Sequence, residues 1–515
     1  MQKNQASPTT ATVDEDVKLL HSMGYAQELK RRMSGFSNFA ISFSIICILA
    51  GGITAFPSAL GAGGGLAIGL GWPLGTLFAL VVALAMAQIA SAYPTAGGLY
   101  HWGSILGGKG FGWATAWFNL LGLIFVVASV NFGLYDPFVK TQIMPLLGID
   151  PAKLGWWHQT GFLAAVTLSQ ALLNHKAARL TTLLTDLSGT LIFILAVVLI
   201  LSLLIFSPVP VDFSRLFTFT NFTGAEGSSW PKMGQTMAFL SALLLTIYTI
   251  TGFDASAHTA EETHGAAHNV PRGIIRSVLW SGLFGYLMIC AFVLVMPSVA
   301  ASVKQGGGFF EAILAPIPPL LRIPLGIGIV LVNYLCALAT LTSTSRMMYA
   351  FARDGGLPLS NWLRQVDPQQ RTPGPAIWVA ALLAISVTLY GDGFLVLAAG
   401  SAVLLYISYI LPTAAGLFAE GNSWTHKGPF DLKGWSKPVA VLAVLGGSLL
   451  VLVGVEPPNE KVLYVLAAMG VTMLLFWWVF GIRQRFAGPP QGEAIAKRRS
   501  AIDDIEAHLT ERQAD

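Results

Sequence analysis

Of 515 residues, 54% are hydrophobic and 11% charged, a balance foreign to ordinary soluble domains and fitting a chain that crosses a membrane many times. The net charge of +4 is too small to imply a nucleic-acid partner. Cys47, Cys290 and Cys336 fall inside apolar runs and read as small buried hydrophobes, neither a disulfide framework nor a metal site.

In chain order, Met1 to about Val13 is rich in Ser, Thr, Ala and Gln and reads as a disordered tail, and the polar first 35 residues carry no cleavable signal pattern. From Asp14 to Met33 a helical period (Val17, Leu20, Met23, Leu29) closing on Lys30-Arg31-Arg32 predicts a short amphipathic helix under the bundle; the alternative is a solvated tail. A membrane helix needs about 20 mostly apolar residues. Twelve runs qualify: 36–58, 70–92, 111–135, 157–175, 180–207, 234–258, 274–299, 323–350, 374–391, 394–419, 438–455 and 461–482. The ninth and tenth nearly touch, so Asp392 should mark a tight turn.

Placing the amino terminus in the cytoplasm leaves only Lys140, Lys153, Arg215, Lys232, Lys304, Arg322 and Lys461 outside, of 30 basic residues, so both termini are expected in the cytoplasm. The first run holds Ala50-Gly51-Gly52 in mid-membrane, and the sixth is broken at Gly252 with Asp254 two residues on. Irregular backbone at that depth is tolerated only where it is buried in protein or lines a cavity, and an acid there marks function by default. The broken helices are the first and the sixth, five positions apart. Five is odd, so the second half enters from the opposite side, which is the inverted-repeat transporter plan. Glycines for close helix packing are the competing reading. The chain then divides into a tail with its short helix (1–35), a first five-helix repeat (36–207), an inverted second repeat (234–419), two further helices (438–482) and a cytoplasmic C-terminal tail (483–515).

Several segments resemble one family. GYAQELKRRMSGFSNFAISFSI, GWPLGTLFALVVALAMAQIASAYPTAGGLYHW (Gly71 to Trp102), GFDASAHTAEE (Gly252 to Glu262), TSTSRMMYAFARDGGLPLS (Thr342 to Ser360) and Arg371-Thr372-Pro373 are similar to the marks of the amino acid/choline transporter family, within the amino acid–polyamine–organocation superfamily. The likeness runs from about Gly24 to Phe480. It implies an all-α membrane protein of LeuT type and secondary active uptake of an amino acid or related amine such as γ-aminobutyrate or choline, with proton coupling common among relatives. Two departures are Gln88, where many relatives have Glu, and Asp254, where Glu is common in the wider superfamily.

Read for their own chemistry, the N–H groups of Gly51, Gly52 and Ile53, beside Ala50, should lose their partners where the first helix unwinds and suit a carboxylate. In the sixth helix, Thr251, Gly252 and Phe253 form the break, with Tyr248 beside it; the two aromatics serve as a lid or simply pack. Asp254 has two readings: a partner for the substrate's ammonium, or a cap accepting from the N–H of Ser256 or Ala257. Asn333, Thr340 and Thr344, flanked by Cys336 and Ser343, put a polar stripe on one face of the eighth helix, for substrate, sodium or interhelical hydrogen bonds. Asp186, in the inner third of the fifth helix, is a candidate proton carrier or a hydrogen-bonded structural acid. Glu261, Glu262, Arg346 and Arg353, with Asp354, are expected at the inner mouth, as gate ion pairs or as solvated loop charges. His258, His264 and His268 are too few to assign a metal, and no cofactor is expected. No nucleotide loop or catalytic pattern points to an enzyme. An exchanger of the same fold, or an amine-gated channel or sensor, stands as the alternative to the importer, and the coupling ion and oligomeric state stay open.

Overall fold

The computed structural model describes residues 10–390 and 394–514. It is all-helical, with only isolated bridges and no strands among the described residues. Asp392, the expected turn, lies outside them, as does most of the tail expected to be disordered.

Helix α1 spans Thr10–Ser22, so it starts earlier and stops sooner than the predicted 14–33 segment. Gly24 (φ 81) ends it: the N–H of Tyr25 reaches back to Leu20 O and that of Gly24 to His21 O, a left-handed C-terminal cap. The chain then runs extended beneath the bundle. Tyr25, Leu29 and Met33 are buried there, and Met33 exchanges backbone hydrogen bonds with Glu262 and His264. Of the period seen in the sequence, Val17 and Leu20 lie in α1, Met23 in the turn that ends it and Leu29 in this strap; Leu20 and Leu29 are buried and the other two half-buried.

Helix α2 (Gly35–Ile46) starts at Ser34, whose hydroxyl accepts the Ser37 N–H. After an irregular stretch come α3 (Gly51–Thr54) and α4 (Phe56–Leu66). A kink at Gly64 (φ 60, ψ −146) and a π-helical turn lead into α5 (Trp72–Ala92), so the first and second apolar runs join with almost no loop. Then follow α6 (Leu99–Gly107), α7 (Lys109–Leu134), α8 (Trp156–Lys176) and α9 (Ala178–Ile205). The next run is divided into α10 (Gln235–Ala242), α11 (Leu244–Thr249) and α12 (Ala255–His258). The rest are α13 (Ala266–Val295), α14 (Pro319–Arg353), α15 (Gly374–Tyr390), α16 (Phe394–Ala419), α17 (Ser436–Gly454), α18 (Glu460–Leu474) and α19 (Glu493–Ala514).

Among the described residues, nine helical stretches are long and apolar enough to cross a membrane, and Gln235–Thr249 and Gly374–Leu389 are shorter apolar helices. Small residues set the packing, as expected where lipid gives no hydrophobic drive. A Cβ on Gly189 of α9 would stand 3.0 Å from that of Ala40 on α2, and one on Gly122 of α7 only 2.7 Å from Leu405 Cγ on α16. Gln88, the uncharged departure on α5, is buried and satisfied, donating to Ser436 Oγ (2.9 Å) and accepting the Leu432 N–H (3.0 Å).

Candidate functional site

The two interruptions face each other at the centre of the bundle. In the first, α2 ends at Ile46, and Cys47 (φ 15, ψ 86) to Ala50 are irregular. The break thus precedes the glycines. Gly51 and Gly52 already belong to the next helical turn, and the Gly51 N–H is not free but bonded to Cys47 O (3.1 Å). The N–H groups of Gly52 and Ile53 have no backbone acceptor among the described residues. In the second, α11 ends at Thr249, and Ile250 to Asp254 carry the chain to α12 through Gly252 at φ 90.

Each glycine admits the opposite helix. A Cβ on Gly51 would lie 3.1 Å from Thr249 Cα, and one on Gly252 would overlap Ile45 Cγ2. Close packing, the competing reading of these glycines, therefore holds at both breaks, and it coexists with irregular backbone. Ser42 ties the halves together by donating to Phe253 O (2.9 Å), sharing a hydrogen bond with Ser256 Oγ (2.7 Å) and accepting the Ser256 N–H (2.9 Å). Helix α14 covers the first break: Asn333 donates to Leu49 O (3.4 Å) and Ile329 O (2.8 Å), and the Cys336 thiol points to Ile45 O (3.3 Å). Asn333 Oδ1 is buried without a partner among the described residues. Thr340 and Thr344 spend their hydroxyls on carbonyls of their own helix, so that part of the stripe makes no interhelical bond, while Ser343 Oγ has no partner.

Asp254 does not cap α12. The Ser256 N–H goes to Ser42 and the Ala257 N–H to the Asp254 backbone carbonyl. The fully buried Asp254 carboxylate instead accepts from Tyr409 Oη (2.7 Å) and Asn119 Nδ2 (2.9 Å) and pairs with His258 Nε2 (3.1 Å). Tyr409 also accepts the Gly252 N–H (3.1 Å), so one hydroxyl braces both the turn and the acid. The sequence reading missed Tyr409 and Asn119 and weighed His258 only as a metal ligand. His258 was findable at i+4 from Asp254 on one helical face, and Asn119 is a lone amide in an apolar run; nothing local marks Tyr409.

Phe253 is buried against Tyr409, with ring centroids 4.9 Å apart. Tyr248 donates to Ser129 Oγ (3.2 Å), and Thr251, in the break, donates back to Ile247 O of α11. Beside the breaks is a cavity of 40 Å³ lined by Ser58, Trp230, Ser241, Tyr248, Phe394 and Ala402, among others, with room for water but not for an amino acid.

At the end of the bundle where α2 begins, Glu261 receives Arg353 through two bonds (2.9 and 3.0 Å) and the Ala96 N–H (3.0 Å), and Glu262 receives Arg346 (2.7 Å). All four side chains are buried, so these are not solvated loop charges. The guanidinium of Arg353 lies 3.9 Å over the Tyr25 ring, and Tyr25 donates to Asp354 (2.7 Å), which also accepts from Tyr100 (3.0 Å) and pairs with His101 (3.2 Å). Burial, then the Asp354 charge, pushes the Tyr25 hydroxyl pKa well above its ordinary value, so it stays a donor. Asp186, on α9, shares a cleft with Arg32, whose backbone N–H bonds Glu262 O (2.9 Å). Asp186 accepts from Ser37 Oγ (2.9 Å), and its Oδ1 is buried without a partner among the described residues.

A family profile described as amino acid permease matches residues 33–480. The chain belongs to the amino acid permease family. This permease is 34% identical over 503 residues to amino-acid permease BAT1 of Arabidopsis thaliana, covering 91% of this chain and 95% of that one. It is 32% identical to the BAT1 homolog of Oryza sativa subsp. japonica over 91% and 94% of the two chains. A GABA-specific permease of Saccharomyces cerevisiae is 28% identical over 87% of this chain and 79% of its own. Membership and the apolar helices make the permease a multi-pass membrane transporter rather than an enzyme.

Proposed function

We propose that the protein is a secondary active amino acid transporter with twelve membrane helices in two inverted five-helix repeats, working by alternating access with both termini in the cytoplasm. The carrying observation is the pair of facing interruptions, Cys47–Ala50 and Ile250–Asp254, joined by Ser42. The substrate carboxylate goes to the free N–H groups of Gly52 and Ile53, and its amine to the carbonyls of the second break, whose shape Asp254 fixes. With the Glu261–Arg353 and Glu262–Arg346 pairs made, the inner mouth is shut. The relatives' names support an amino acid as substrate, and γ-aminobutyrate belongs in the first panel tried. In proteoliposomes, preloading with unlabelled substrate is expected to accelerate uptake of the labelled compound. A channel would show no such counterflow, and its absence would sink the carrier reading.

Proton coupling falls to Asp186, whose Oδ1 has no donor and whose Oδ2 meets Ser37 on the broken first helix. Asp186→Asn is expected to abolish uphill uptake driven by a pH gradient while keeping exchange of labelled for unlabelled substrate. Unchanged pH-driven accumulation removes Asp186 from the coupling path, and a strict sodium requirement removes the proton.

A further inference from the structure

Beside the N-terminus of α2 lies a cleft of 550 Å³ whose occupant the transport reading does not supply. Its cations come from two segments: Lys30 and Arg32 from the strap, and Arg179 from the first turn of α9. None of the three makes an ion pair with an acid among the described residues, and Arg32, which donates to Gln370 O (2.9 Å), keeps its Nε buried and unpartnered. Asp186 is the one acid among the lining residues, while Glu262, held by Arg346 behind the wall, also attracts Arg32. The walls add the hydroxyls of Ser34 and Ser37. The mouth is also apolar in one direction. Leu183 lines the cleft, and Leu180 and Leu187, at i−3 and i+4 on the same face of α9, are 45% and 49% exposed and lead toward the membrane interior.

We propose that this cleft seats the headgroup of an anionic phospholipid bearing free hydroxyls, such as phosphatidylglycerol. The phosphate meets Lys30, Arg32 and Arg179, a headgroup hydroxyl donates to the open Asp186 Oδ1, and the acyl chains lie along Leu180, Leu183 and Leu187. A free phosphate would satisfy the cations but leave the leucine strip unused, and a neutral zwitterionic headgroup would bring an ammonium among three cations. The proposal rests on the membrane-spanning reading of α9 but not on the transport cycle.

The test is a thermal-shift titration of the purified full chain in detergent with short-chain phosphatidylglycerol, short-chain phosphatidylcholine and glycerol phosphate, since a ligand of the native state raises its melting temperature. Phosphatidylglycerol is expected to give a saturable rise and the other two none. Lys30→Gln with Arg179→Gln, both at exposed positions, should raise the half-saturating concentration roughly thirtyfold, from about two surface charges' worth of attraction. Arg272→Gln with Arg276→Gln, equally exposed cations on α13, should leave it unchanged. Equal response to phosphatidylcholine, an equal rise with glycerol phosphate, or wild-type affinity in the first double variant would each overturn the proposal. The readout is binding, so its failure leaves the transport reading standing.

Discussion

Replacing Asp254 by alanine is expected to abolish uptake and to lower stability by roughly 3 kcal/mol or more, because three buried donors lose their acceptor at about 1–3 kcal/mol each. The donors are Tyr409 Oη, Asn119 Nδ2 and His258 Nε2, and all three residues are sequestered from water. The functional loss follows from the same contacts. Tyr409 holds the Gly252 N–H as well as the acid, so freeing the acid loosens the φ 90 turn. Asp254→Asn should be milder. Its amide can face Tyr409, whose hydroxyl is able to accept as well as donate, leaving the asparagine oxygen for Asn119 and His258. The expected order of melting temperature is wild type, Asp254→Asn, Asp254→Ala, with uptake falling in the same order. Wild-type melting and uptake in the alanine variant would remove Asp254 from the architecture of the break.

Neutralising one side of the Glu261–Arg353 pair should cost about 3–5 kcal/mol, the range for a buried ion pair broken by removal of one partner. The pair is well placed for so large an effect: two direct bonds, a backbone donor from Ala96, and the Tyr25 ring over the guanidinium. Arg353→Met leaves Glu261 charged in the interior, and Glu261→Met leaves Arg353 so. The double variant should recover a large part of either loss, because neither uncompensated charge remains. If the pair also bolts the inner mouth, each single variant should label faster with a thiol reagent at a cysteine introduced at Thr344, in a background lacking the native cysteines. Additive losses in the double variant would mean that the two residues act separately.

The positions of the helices were legible because lipid demands long apolar runs and self-satisfied backbone. Run limits such as 157–175 lie within a residue of α8, Trp156–Lys176. The second break was legible because Gly252 needs a positive φ that other residues resist. The first was misplaced by three residues because glycine is the residue that tolerates irregular backbone, whereas the irregular residues are Cys47 to Ala50, with ordinary side chains, held by Val332 and Asn333 of α14. Those contacts span 285 and 284 residues of sequence and leave no local pattern. The same holds for Asp254. A carboxylate at a helix start reads as a cap, and only the approach of Asn119 and Tyr409 from other helices gives it different partners. The strap at Tyr25 to Met33 reads as helix because Leu29 continues the face of Val17, Leu20 and Met23, although Gly24 ends the helix before it.

The central claim is that substrate binds where the two broken helices face each other. It is tested most directly at Ser58, which lines the small cavity beside Tyr248. With Cys47, Cys290 and Cys336 replaced, Ser58→Cys is labelled by a membrane-impermeant thiol reagent with and without saturating transported amino acid. The transported compound is expected to slow labelling severalfold and a non-transported one to leave it unchanged. Equal labelling rates in all three conditions would contradict it.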